Sequence, residues 1–349
     1  MASNDISQGR LSPILSELLL TSAAANVGKY TFGKLPECVF TLDTASKFKG
    51  TFRAIPIAQQ FGDARAVGTG VLKHQAGAQY YDLTRERAFD SVSYECVARA
   101  GLVNVYDSEE ERTEDTTIAG LMMRQSRATQ LTSAIFDDFE YDFVAALFST
   151  SNYSNADATA LTGGAGVKWS GAGSSPAKDI LAVKSTMRAR GAKIDTIVLS
   201  YDVALALCSH PETLGVWYKT SGATNAPPSV PMEQMQAKWG GLWGCKVVVV
   251  ETMYNSANPA STASLAEFVS DKVAFHCFDG LSNAYQVSDT ITANGLVSLA
   301  VVQESAYRGY EDRIINPHGT QLVGKHAFDI AVPYASAATR PAYVLTDVI

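Results

Sequence analysis

The stretch TEDTTIAGLMMRQSRATQLTSAIFDDFEYDFVAALF, residues 113–148, decides how the rest of the chain is read. It holds no proline and one glycine, Gly120. Thr113 can cap its start by accepting a first-turn N–H, and Glu114 and Asp115 stand where a helix dipole favours negative charge. Apolar residues recur at Ile118, Leu121, Met122, Ala128, Leu131, Ile135, Phe139, Phe143, Ala146 and Leu147, the spacing of one helical stripe. The other side carries Arg124, Arg127, Asp137, Asp138, Glu140 and Asp142, and is expected to meet water or another subunit. At 1.5 Å per residue the helix is roughly 50 Å long, against a mean of about a dozen residues. Two readings stay open from these residues alone: a long surface helix of an ordinary α+β domain, or a rigid spine across a flat, plate-like subunit.

The 349 residues are 46% apolar, enough for a substantial core. The formal net charge is −7, and no lysine or arginine run forms a phosphate-tracking stripe, which argues against tight nucleic-acid binding. Five cysteines, at 38, 96, 208, 245 and 277, form no CxxC pair and are expected to be buried free thiols. The five histidines show no metal-ligand spacing. No metal or cofactor is expected. No run of 18 apolar residues is present, so no membrane span is expected. Residues 11–25 read as a short amphipathic helix rather than a secretory signal, because Pro13, Ser16 and Glu17 interrupt the apolar run.

Residues 39–42 and 48–53 read as strand pieces. Residues 64–97 read as a long hairpin with a polar tip, Thr84-Arg85-Glu86-Arg87, and clean alternation of Val92, Tyr94 and Cys96 against Ser91, Ser93 and Glu95. An isolated hairpin is marginal in water, so it must rest on its own domain or on a neighbour. The Gly/Ser-rich stretch 149–175 reads as a loop or boundary. From Pro176 helices and strands alternate: helix 176–190, strand 196–199, helix 202–209, a loose stretch 221–231, strand 246–250 and strand 273–278. Trp239 and Trp243 read as a packed turn before a strand. Residues 296–349 read as strand and turn that pair with strands of the first half, with the α/β layer inserted between.

Chemistry is sparse. Ser175 and Lys178 match a Ser-x-x-Lys pattern without its companion elements, and Ser175 is expected instead to cap the helix that Pro176 begins. No carboxylate pair stands in an apolar setting that raises a pKa.

The order of parts resembles the major capsid proteins of tailed bacteriophages, whose Hong-Kong-type shell fold is shared with encapsulins. The stretches that carry the resemblance are Lys168-Trp169-Ser170, Ser175-Pro176-Ala177-Lys178-Asp179-Ile180, the run 191–200, Ala204-Leu205-Ala206-Leu207 and His210-Pro211, with Arg65 to Gly70 and Tyr94-Glu95-Cys96 upstream. The resemblance implies an α+β fold with an N-terminal arm (1–61), an extended β-hairpin loop (62–97), a peripheral domain (98–175 and 296–349) with a spine helix (113–148), and an axial α/β domain (176–295). It implies a non-enzymatic structural subunit of an icosahedral shell, assembling in the host cytoplasm into hexamers and pentamers that enclose double-stranded DNA without reading its sequence. A portal and separate scaffolding or decoration proteins are the further partners it implies. The alternative within the same fold is an encapsulin-like compartment enclosing cargo enzymes. Arg85, Glu86, Arg87, Phe48, Phe52, Arg124 and Arg127 are the candidate residues for contacts between subunits.

Overall fold

The computed structural model describes residues 27–42, 48–55, 89–106, 118–158, 167–171, 173–215, 229–255, 264–304, 308–315 and 318–349. The expected amphipathic helix near the N-terminus, the hairpin tip at 84–87 and most of the loose stretch 221–231 lie outside the described residues.

In chain order come α1 (Thr31–Lys34), β1 (Val39–Thr41), β2 (Lys49–Ala54), β3 (Asp90–Glu95), β4 (Val97–Tyr106), the long helix α2 (Ile118–Leu147) and β5 (Ser154–Asp157). Then come α3 (Pro176–Ala189), β6 (Thr196–Leu199), α4 (Tyr201–Ser209), α5 (Met232–Trp243), β7 (Lys246–Val249), β8 (Met253–Asn255), β9 (Leu265–Glu267) and β10 (Lys272–His276). The chain closes with β11 (Tyr285–Val287), β12 (Thr290–Thr292), β13 (Ala300–Gln303), β14 (Arg308–Ile315), β15 (His318–Ala331) and β16 (Tyr343–Thr346).

One sheet is organised on β15. It pairs antiparallel with β14, with β4 (Val97↔Phe328 through Tyr106↔Gly319) and with β13, and β1 adds in parallel beside β13. The closing strands therefore do pair with strands from the first third of the chain. A second sheet runs β5-β16-β10-β6-β7. Its interior strand β6, between β10 and β7, is buried at every position, which is why Thr196-Ile197-Val198-Leu199 is a continuous run rather than an alternation. The last strand, β16, lies in this sheet and not with the other closing strands, and β5 brings residues 154–157 into it from the stretch read as loop. A third sheet joins β11, β12, β2 and β3. There Tyr94 and Cys96 are buried while Ser91, Ser93 and Glu95 are exposed, the alternation read from the sequence.

Helix α2 has 30 described residues, so it is about 45 Å long. It lies against the first sheet, with the Phe139 ring 4.2 Å from that of Phe328. A Cβ at Gly101 of β4 would stand 2.8 Å from Leu131 of the helix, so the absence of a side chain lets the strand pass close beneath it.

Around Trp239 the sequence reading needs correcting. Trp239 and Trp243 sit on a 12-residue helix, α5, that starts after Pro231 and ends at Gly244 in the left-handed region (φ 60). Met235 and Trp239 are buried one turn apart. One of the two glycines that disguise the helix has a packing reason: a Cβ at Gly240 would stand 2.9 Å from the Cys245 carbonyl.

Candidate functional site

The long helix is tied to the N-terminal part of the chain by a buried carboxylate. Glu140 was placed by its charge on the wet side of the spine; the structure buries it completely. Its Oε1 accepts the N–H of Thr31 at 2.8 Å and the hydroxyl of Thr252 at 3.0 Å, and its Oε2 accepts the N–H of Phe32 at 3.2 Å. Burial raises its pKa, and the hydrogen bonds pull it back. Beside it Tyr30 donates to Asp137 at 2.9 Å, and Phe32 packs its ring 4.5 Å from that of Phe139. Lys34 reaches the Val249 carbonyl at 3.2 Å, and Lys246 reaches the Lys34 carbonyl at 2.6 Å. Residues 30–34 thus join the long helix to the edge of the second sheet. A sequence signal for Glu140 existed. The buried stripe continues through Thr132, Phe136, Glu140 and Val144, each four residues after the last.

At its C-terminal end the helix is held by a histidine. His276 Nε2 lies 3.0 Å from the Leu147 carbonyl, an acceptor only, so the ring donates there and satisfies one of the helix's orphan carbonyls. Its Nδ1 meets Ser298 Oγ at 3.1 Å. Burial pushes the His276 pKa down to about 3, which keeps the ring neutral.

The residues that carried the family resemblance converge on the start of α3. The buried Trp169 indole donates to Asp179 at 2.7 Å. Ser175 is not the cap that its position promised: its side chain makes no capping bond. Its hydroxyl donates instead to Glu212, whose second oxygen accepts the Ala177 N–H at 3.0 Å. A carboxylate from beyond α4 therefore caps α3, and the Ser175 hydroxyl turns away from the Ser-x-x-Lys geometry. Next to it His210 Nδ1 accepts the Glu212 N–H at 3.1 Å, so the neutral ring carries its proton on Nε2 and donates to Ser174 Oγ at 3.0 Å. Ser174 in turn donates to the Gly171 carbonyl at 2.7 Å. This tautomer cannot take a proton from Ser174, so the contact locks a turn rather than activating a nucleophile. Among the described residues no group of His, Cys, Asp and Glu is placed to hold a metal ion, and no helix is long and apolar enough to cross a membrane. All five cysteines are free and buried.

The candidate contact residues are scattered. Arg85, Glu86 and Arg87 lie outside the described residues, as does the side chain of Arg124, whose backbone is on α2. Arg127 is half-buried on the same helix and Phe48 is 46% exposed. Phe52 is corrected: it sits on β2 with no accessible surface, packed in its own chain. Its alternation partners point out, and a side chain on the inner face of a sheet cannot meet a neighbour. The described strands from the stretches read as arm and hairpin pair within their own chain, β2 between β3 and β12 and β1 beside β13. The acidic side of α2 is likewise used internally, because Arg99 of β4 pairs with Asp138 and Asp142 while lying 4.8 Å over the Phe328 ring. Sequence reasoning did not single out the exposed Tyr141 and Tyr254 with the half-buried Phe268, whose rings are 5.3 to 6.1 Å apart at β8 and β9.

No family model matches the sequence, and no curated protein does. Solved structures do match. A phage-related protein from Bordetella bronchiseptica RB50 has a TM-score of 0.62 at 15% identity, covering 98% of this chain and 98% of that one. A virus-like particle from Pyrococcus furiosus has a TM-score of 0.50 at 12% identity, covering 94% of this chain and 98% of that one. The capsid of Helicobacter pylori bacteriophage KHP30 is more distant, with a TM-score of 0.47 at 11% identity. Over nearly its whole length the chain therefore shares the fold of that phage-related protein and of that virus-like particle.

Proposed function

We propose that the protein is a structural subunit of an icosahedral viral capsid, one that assembles with copies of itself into hexamers and pentamers around double-stranded DNA. The observation that carries this reading is the end-to-end likeness of fold to a phage-related protein and to a virus-like particle. The internal construction supports it. A stiff helix about 45 Å long, fastened at Glu140 and at Leu147, gives a subunit that transmits load across its width. Rings arise when copies associate head to tail and the rotation closes, and several modest contacts per copy suffice when geometry makes them simultaneous. An acidic chain with net charge −7 does not adsorb packaged DNA strongly.

A portal and separate scaffolding or decoration proteins are further partners on this reading, and the shell forms in the host cytoplasm and ends in the virion. The test is electron microscopy of the purified protein, alone and with a co-expressed scaffold, which is expected to show closed particles. The likeness to a virus-like particle keeps a second reading in play, a compartment around cargo enzymes. Nuclease-protected DNA inside the particles favours the first reading, and a co-purifying enzyme the second.

A further inference from the structure

A groove of about 750 Å³ opens between α3, the turn that follows it and the end of α5. Leu181, Ile194 and Trp243 supply apolar lining, and Lys184, Arg188 and Lys193 add three cations to it. Lys184 is engaged, donating to the Trp243 carbonyl at 2.6 Å. Arg188 and Lys193 are exposed and meet no carboxylate among the described residues. Unspent cations beside apolar wall suit an extended anionic peptide better than a plain apolar segment.

The chain carries such a segment. Residues 107–115, DSEEERTED, hold six carboxylates and one arginine, on a chain whose net charge is already −7. We infer that the groove receives the acidic stretch 107–115 of a second copy. This rests on the reading that copies of the chain associate, and it assigns one of their contacts a specific chemistry. Carboxylates of Glu109–Glu111 meet Arg188 and Lys193. The contact is salt-sensitive, because both cations are solvent-exposed.

The test uses a fluorescently labelled synthetic peptide with the sequence of residues 105–117, titrated by anisotropy onto the unassembled whole chain. Saturable binding is expected, weakened about tenfold by the double variant Arg188→Glu/Lys193→Glu and by raised salt. A peptide with Gln at 109, 110 and 111 should not bind. An unchanged thermal melt of the variant shows that the loss is local. Equal binding to variant and parent overturns the inference, as does no binding to the parent, or displacement by duplex DNA at lower concentration than by unlabelled peptide. In trans, Arg188→Glu/Lys193→Glu chains mixed with Glu109→Lys/Glu110→Lys/Glu111→Lys chains should associate, since each supplies the half the other lacks. Failure of the mixture while the parent associates also overturns it. Peptide binding without any particle formation would uphold the contact and count against the shell, whereas particles from the parent with no peptide binding would do the reverse.

Discussion

Glu140 accepts the backbone N–H of Thr31, 109 residues earlier in the chain, at 2.8 Å inside a fully buried junction. Removing one partner of a buried charged hydrogen bond leaves the other groups unpaired, which costs more than the bond contributes. Glu140→Ala should lower stability by about 2–4 kcal/mol. The amides of Thr31 and Phe32 should lose hydrogen-exchange protection before the core does. Glu140→Gln should lose less, since the amide keeps one accepting oxygen and removes a buried charge. If Glu140→Ala unfolds at the parent's urea midpoint, the junction does not hold residues 30–34.

The buried histidines set an acid limit. Burial lowers His276 to about 3 and His326 to about 4, from an ordinary 6.5. Between those values and 6.5 the unfolded chain binds protons that the folded chain refuses, so stability is full above about pH 6.5 and falls as pH drops. Each ring contributes a slope approaching about 1.4 kcal/mol per pH unit in its window. Glu140 acts in the opposite sense: its raised pKa means that protonation favours the folded form as pH falls through it. Chemical denaturation at a series of pH values should show a net loss from pH 7 to pH 4. His276→Gln should flatten that slope, and a parent curve flat across the range would refute the assignment.

The start of α3 separates a local cap from a distant one. Glu212→Ala removes the acceptor for both Ser175 Oγ and Ala177 N, and should cost about 1–2 kcal/mol, within the range of lost caps. Ser175→Ala should cost less than half as much, because the Ala177 N–H keeps its partner. The reverse order in thermal melts would restore Ser175 as the cap.

Arg99 combines two carboxylates with an aromatic face. Its side chain is 35% exposed, so screening limits the value of the ion pairs. Arg99→Ala should cost about 1–2 kcal/mol, with part of the loss in packing on Phe328. Arg99→Lys should recover less than half, since an ammonium cannot bridge Asp138 and Asp142 as a planar fork does. Full recovery by lysine would show that charge alone matters.

The long helix was legible because a 3.6-residue period survives whatever the helix packs on. Strands β6, β7 and β10 were legible as apolar runs, and β3 by its alternation. What stayed hidden depends on distant partners. Glu140 looks solvated beside Asp137, Asp138 and Asp142, and only the four-residue stride from Thr132 and Phe136 betrays it. The cap on α3 reads as the adjacent Ser175 because its real acceptor, Glu212, is 35 residues from Ala177. Helix α5 was masked by Gly240 and Gly241, of which the first answers to the returning strand. The shell-type resemblance rested on Trp169, Asp179 and His210, and these prove to be the residues that lock one helix start. The contact residues proved least legible, since Phe52 looks like any exposed strand aromatic until its sheet is assembled.

Electron microscopy of the purified chain tests the central claim most directly. The account predicts closed, uniform shells, formed alone or with a co-expressed scaffold. A chain that stays monomeric across protein concentration, salt and pH, with or without that scaffold, would contradict it.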